Sequence, residues 1–357
     1  MAGASDTWEQ LRDLPLTVES VAFERQSASF SDFERVTTLV RLRGAGAEGL
    51  GEDVSVSPFP EDEEEGTLHV LVPPFPLAGN WTLESFCDQL GSFEQWPVAP
   101  SWDVMRRWRN WAFESAALDL ALAQAGLPLD DALGREPAPV RFVNSLGLGE
   151  PPTFEPIARR LEVHPDLRFK LDVTPEWTPA LMEAVAATGA VEIIDFKGHY
   201  QLELGELPEL LAMYERAIEA FPDALLEDGH DLPEVAALLA DQGHRISYDA
   251  PIHEAADLDT VPLAPRAVNI KPCRVGDLRS LFDVYAECRA RGLVMYGGGM
   301  GEVGEGRGQI QLLAALFHAD SPNDVAPSGY NAETPAAELP ASPLPARPAP
   351  TGFRREA

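Results

Sequence analysis

The chain has 357 residues, and its 58 acidic against 27 basic side chains give a formal charge of −31. So acidic a chain excludes non-specific nucleic-acid binding and a basic membrane-surface helix, both of which need clustered Lys and Arg. No apolar run reaches the ~18 residues of a transmembrane span, and 45% hydrophobic with 24% charged residues is the composition of a globular protein.

Residues 1–135 read as an α+β domain. The opening MAGASDTWEQLRD has neither the basic nor the apolar segment of a signal peptide, which points to a cytoplasmic protein. Leu16–Phe23 and Thr37–Arg43 alternate like strands, separated by a polar loop over Glu24–Arg35. Gly44–Gly51 supplies turn residues before Glu52 and Asp53, and the acidic run Glu61–Glu65 reads as a solvated loop. Helical periodicity over Trp108–Gln124 places Ala112, Ser115, Ala116, Leu118, Asp119 and Leu122 on one face, and Gly126 with Pro128 stops the helix. Cys87, Cys273 and Cys288 are too scattered for a disulfide framework or a paired metal motif, and Cys273 and Cys288 read as small core or helix residues.

Over residues 136–338 short apolar runs alternate with helical stretches. Strands are expected at Val140–Asn144, Phe169–Val173, Val191–Phe196, Ala224–Glu227, Ile246–Asp249, Ala267–Lys271, Leu293–Tyr296 and Asp324–Ala326. Helices are expected at Pro179–Thr188, Leu207–Ala220, Leu232–Gln242, Leu278–Arg291 and Gly308–Ala319. This is an α/β pattern, and eight strand-then-helix units close a (β/α)8-type barrel capped by the N-terminal α+β domain; an open doubly wound sheet is the alternative. Residues 339–357, rich in Pro and Ala, read as a flexible tail or an extended strap.

Three acidic residues fall at consecutive strand ends: Asp195, Glu227 and Asp249. In a parallel barrel those ends share one face, so the carboxylates would converge and repel unless a hard divalent cation such as Mg²⁺ accepted them as ligands. The plainer reading makes each of them a cap for the helix that follows. The chain has 24 arginines but only three lysines, and Lys170, Lys197 and Lys271 all map to strand ends at the same mouth. Lysine can shuttle a proton where arginine cannot, although these lysines would also serve simply to neutralise the carboxylates.

The pattern resembles the enolase superfamily, in its muconate lactonizing enzyme and mandelate racemase-like branch, over nearly the whole chain. EGLGEDVS is similar to the capping segment that closes on Gly-x-Gly-Glu, and FESAALDLALAQAGLPLDDALG (Phe113–Gly134) to the helix before the barrel. FKLDV resembles the second-strand Lys-x-Lys motif; IIDFKG, ALLEDG and ISYDAPI resemble the three metal-ligand strands; VNIKP resembles the sixth-strand base motif. GGMGEVGEGRG (Gly298–Gly308) resembles the glycine-rich loop of o-succinylbenzoate synthase and dipeptide epimerase relatives, with Glu302 at its acidic position.

The resemblance implies Mg²⁺ on Asp195, Glu227 and Asp249, a small carboxylate substrate, and removal of its α-proton by lysine through an enediolate. Lys170 and Lys271 are the implied catalytic lysines. Asp172 stands where relatives carry the second Lys of Lys-x-Lys, and Lys197 where they carry Asn. Lys197 either compensates for the missing lysine or pairs with Asp172. Single-base elimination or cycloisomerisation is therefore expected over two-base racemisation, and a non-catalytic metal- or ligand-binding member is the alternative. Self-association into a homo-oligomer is compatible with the sequence, though the charge opposes it without salt.

Two further patterns compete. Gly299-Met-Gly301-Glu-Val-Gly304 matches a dinucleotide fingerprint, but about 50 residues remain after it, too few for the rest of that fold. His199, His230 and His253 follow the carboxylate-bearing strands and are candidates for metal binding or proton transfer, against a plain polar surface role.

Overall fold

In the computed structural model, which describes residues 6–30, 34–55, 75–96, 99–200 and 206–356, the N-terminal part is built on a meander of β2 (Ser20–Ser29), β3 (Glu34–Gly44) and β4 (Ala47–Asp53). A short pair of β1 (Pro15–Val18) and β5 (Gly79–Thr82) accompanies it, with α1 (Asp6–Leu11), α2 (Leu83–Leu90), α3 (Met105–Ala125) and α4 (Leu129–Leu133). The expected loop over Glu24–Arg35 is largely strand: β2 and β3 pair in unbroken antiparallel register from Ser20 opposite Arg43 to Ser29 opposite Glu34. β2 lies at the sheet edge with much of its surface in water, so its polar residues signal exposure and not a turn. The run Glu61–Glu65 lies outside the described residues.

Gly44–Gly51 is not one turn either. Only positions 45 and 46 turn, and Gly49 and Gly51 are strand residues of β4. A Cβ at Gly49 would overlap the backbone of α3 at Ala116, and one at Gly51 would overlap it at Ala112. These glycines let a helix lie directly on the sheet. α3 is buried on every side from Trp111 to Leu122, more than a one-faced helix would be. It stops where expected, at Gly126 with φ +68.

The second part alternates strands and helices: β6 (Asn144–Leu146), α5 (Glu155–Val163), β7 (Phe169–Asp172), α6 (Pro179–Ala186), β8 (Val191–Asp195), α7 (Leu207–Ala220), β9 (Leu225–Glu227) and α8 (Pro233–Leu239). It continues through β10 (Ile246–Tyr248), β11 (Ala267–Ile270), α9 (Pro272–Val275), α10 (Leu278–Ala290), β12 (Val294–Gly297) and α11 (Glu305–Phe317). Strands β6 to β12 pair in parallel in chain order without reversal, which excludes a doubly wound sheet. The expected eighth strand at Asp324–Ala326 is not one. Asn323 and Asp324 nonetheless bridge Phe142 and Gly298, with Val143 N donating to Asn323 O at 2.8 Å and Asp324 N to Gly297 O at 2.7 Å. Two residues thus close the ring between β12 and β6, and the Asn323 side chain secures them by accepting from Gly297 N at 2.7 Å.

Val143, Ile193, Ala267 and Tyr296 form a small cluster separate from the main core. The strand period of two then aims Asp195 the same way as Ile193, and Lys271 the same way as Ala267. Downstream, Leu344 pairs with Val140, Gly352 bridges Pro128, and Leu344 and Phe353 are buried. This extended segment runs from the barrel to the N-terminal domain, where Phe353 N donates to Asp119 at 2.7 Å. Among the described residues no helix is long and apolar enough to cross a membrane.

Candidate functional site

The strand ends bring a dense charge network to one mouth. Lys170 in β7 is fully buried; it bonds the Glu227 carboxylate at the end of β9 and lies 3.1 Å from Asp195 of β8 and 3.7 Å from Asp324. Lys197 reaches Asp195 at 2.5 Å and Asp172 at 3.2 Å. Lys271, after β11, lies 2.8 Å from Asp249, whose other oxygen accepts from Arg274. Glu227 also accepts from the Tyr296 hydroxyl. All three lysines and the three expected ligand carboxylates are therefore together, whereas the plain helix-capping reading accounts for none of these contacts.

Two backbone positions at the site are strained. Lys197 has φ +53 and Asp228 φ +50, the left-handed region that non-glycine residues rarely adopt. Asp228 turns its carboxylate onto the amides of Asp249 and Ala250, at 2.8 and 2.9 Å, and so shapes the turn that follows β10.

The charges are unevenly compensated. Burial opposes ionisation of Asp195, but Lys197 and Lys170 outweigh it and hold the group below the usual carboxylate range. Asp249 is likewise lowered against its burial, by Arg274 and then Lys271. Burial raises Glu227 well above its ordinary value and Asp228 to about 7, with neighbouring carboxylates adding to both. For the lysines burial favours the neutral amine, yet the surrounding carboxylates keep all three raised, so in this state they are ammonium ions.

Six carboxyl groups (Asp172, Asp195, Glu227, Asp228, Asp249, Asp324) meet four cations (Lys170, Lys197, Lys271, Arg274), an excess of two acidic groups whose crowding raises Glu227 and Asp228. All-oxygen donors with that excess fit a hard divalent cation. Among the described residues, the carboxylates whose oxygens lie within 4.8 Å of one another are Asp195, Glu227 and Asp228. Asp249, the expected third ligand, is outside that trio, drawn to Lys271 and Arg274.

Glu302 is buried but turned onto its own loop, where Met300 N donates to it at 3.0 and 3.1 Å. His199 lies near Asp195 and Asp249, His230 pairs with the Tyr214 hydroxyl at 2.8 Å, and His253 sits beside Asp257. Among the described residues these three do not gather into a metal site. The dinucleotide reading fails on geometry. The amides of Val303, Gly304 and Gly306 at the start of α11, where a pyrophosphate would bind, all donate to Glu52.

Arg274, Tyr296 and Asp324 escape a reading of the sequence. Arg274 carries a signal, lying one helical turn after Lys271, and Tyr296 follows from alternation in β12. Nothing in the sequence marks Asp324 as the partner of Lys170.

Residues 9–132 and 136–332 match the N-terminal and C-terminal domains of a family described as a domain of unknown function, DUF8230. The chain is 28% identical over 304 residues to the N-succinylamino acid racemase of Thermus thermophilus, covering 82% of this chain and 79% of that protein. It is 26% identical over 327 residues to the o-succinylbenzoate synthase of Geobacillus stearothermophilus, covering 85% and 81%. Solved structures with the same fold include a dipeptide epimerase from Methylococcus capsulatus complexed with Mg ion, with a TM-score of 0.62 and 18% identity over 87% of this chain and 89% of that one. Muconate lactonizing enzyme from Pseudomonas putida aligns with a TM-score of 0.61 and 16% identity over 87% and 88%. The chain belongs to the DUF8230 family, and it shares its fold with solved structures of the enolase superfamily.

Proposed function

We propose that the protein is a Mg²⁺-dependent enzyme that removes the proton α to a substrate carboxylate from one face, in a β-elimination of the o-succinylbenzoate synthase kind or a cycloisomerisation. The observation that carries this reading is the placement of Lys170 and Lys271 beside the buried carboxylates of Asp195, Glu227 and Asp249. We assign the cation to those three carboxylates. Asp228 spends its oxygens on two backbone amides, while Asp249 is held only by side chains that can move.

A cation there would supply positive charge for the enolised carboxylate and, by drawing on Asp249, weaken the charge that keeps Lys271 protonated. Lys271, in its neutral form, accepts the α-proton. The Met300 thioether lies against this lysine, and burial at 6% exposure excludes water. Lys170, ringed by carboxylates, stays an ammonium and can protonate a leaving hydroxyl, so an elimination yields the alkene and one water. Racemisation needs a second base on the opposite face. Lys197 is engaged with Asp172 and Asp195 as an ion pair, which supports single-base chemistry over the racemase and epimerase reactions in the relatives' names.

The test is α-proton exchange in D₂O with Mg²⁺ over a panel of succinylated, acid-sugar and dipeptide carboxylates. Wild type should exchange at least one, and Lys271→Met should lose exchange while still binding Mg²⁺. Binding of Mg²⁺ and ligand with no exchange by wild type would instead establish the non-catalytic reading, which the cation partners already present on each carboxylate would then explain.

A further inference from the structure

The glycine-rich loop after β12 is held less by the barrel than by the N-terminal domain. Arg35 in β3, 6% exposed, donates to Met300 O at 2.8 Å, to Gly301 O at 3.2 Å and to Val54 O at 3.0 Å. Glu52 in β4 accepts the amides of Val303, Gly304 and Gly306. One loop thus accepts hydrogen bonds at its carbonyls from one buried charged residue of the other domain and donates its amides to a second.

The same loop lies against the candidate base. Met300 Sδ is 4.0 Å from Lys271 Nζ and 3.6 Å from Arg274. A Cβ at Gly298 would come within 2.8 Å of Lys271 Cε, so the lysine side chain occupies the space that glycine leaves. Gly301, at φ +80, allows the chain to reverse so that its carbonyl faces Arg35, and a Cβ there would lie 3.0 Å from Arg35 Nε.

We propose that Arg35 is a positioning residue for Lys271. It fixes the carbonyls of Met300 and Gly301, and the Met300 thioether then holds the lysine amine and the Arg274 guanidinium in place over Asp249. The juxtaposition makes the N-terminal domain part of the proton-transfer geometry. A guanidinium fork suits the task because it can address several carbonyls at once, which a lysine cannot. This inference rests on the reading of Lys271 as base, but its test does not need turnover.

With only three lysines in the chain, ε-¹³C-lysine labelling of the full-length protein yields three side-chain Cε signals. Lys→Arg variants at each position assign them. Arg35→Gln and Met300→Leu should each move the Lys271 signal beyond its line width and leave Lys170 and Lys197 in place, and the double variant should move it no further than the larger single. A loss of general packing would disturb all three signals, and that result overturns the proposal. So does a folded Arg35→Gln with the Lys271 signal unmoved. Should Arg35→Gln fail to fold, Gly301→Ala decides by the same criterion, since it presses on Arg35 from the loop side. On any substrate that exchanges, Arg35→Gln should lower kcat by roughly 10- to 100-fold with KM little changed. If Lys271→Met turns over normally while the Lys271 signal still answers to Arg35, the positioning stands and the assignment of the base fails.

Discussion

Two buried carboxylate centres in this molecule have opposite characters. Asp119 in α3 accepts Leu50 N at 2.8 Å, Phe353 N at 2.7 Å and Arg354 Nε at 2.7 Å, so α3, β4 and the C-terminal segment are joined at one side chain whose acceptors are filled by donors. The barrel mouth gathers six carboxyl groups over four cations and tolerates left-handed backbone at Lys197 and Asp228. A satisfied buried polar group stabilises; an under-compensated, strained cluster persists because something else requires it. The contrast separates structure from function without reference to any relative.

The largest effect should follow from breaking the satisfied centre. Asp119→Ala leaves two buried amides and a guanidinium without their acceptor and should lower stability by about 3–5 kcal/mol in urea denaturation. Asp324→Asn at the mouth should change it by less than about 1 kcal/mol, since its carboxylate lies a loose 3.7 Å from Lys170 and one repelling charge is removed. A large loss there, or a small one at Asp119, would erase the distinction.

Next in size is a pH effect at the ring closure. Burial depresses His318 from its usual value to about 4, and its Nδ1 pairs with Asn323 Oδ1 at 2.6 Å. The unfolded chain takes up the proton near pH 6.5 and the folded chain does not until about 4, so stability is full above ~6.5 and falls as pH drops towards 4, by up to about 3 kcal/mol. Thermal melts from pH 7 to 4 should show that slope, and His318→Gln should flatten it. An unchanged slope would place the acid sensitivity elsewhere.

The smallest effect is distributed. With a charge of −31, self-repulsion should be screened between ~0.1 M and ~1 M salt, and Tm should rise by several degrees. Asp119→Ala should show the same salt increment as wild type, because its loss is local.

How much of this is written in the sequence depends on what each residue answers to. The strand ends carrying Asp195, Glu227, Asp249 and Lys271 are legible because strand alternation and β-then-α order are local signals, and because three lysines among so many arginines stand out. Gly49 and Gly51 mislead, since glycine marks close helix approach as readily as a turn, and only packing tells which. The polar run in β2 misleads for a related reason: an edge strand and a loop both face water. The closing bridge at Asn323 and Asp324 has no strand pattern at all. It exists through side-chain bonds to residues far away in sequence, as do the contacts of Arg35 and Glu52 with the glycine-rich loop.

The central claim is that the under-compensated mouth is a divalent-cation site, and diffraction from crystals grown with Mn²⁺ in place of Mg²⁺ tests it most directly. The account predicts an anomalous peak among the carboxylates of Asp195, Glu227 and Asp249, with the Lys170 ammonium displaced from its bridge between Asp195 and Glu227. No peak at saturating Mn²⁺, with Lys170 still bridging those two carboxylates, would contradict it.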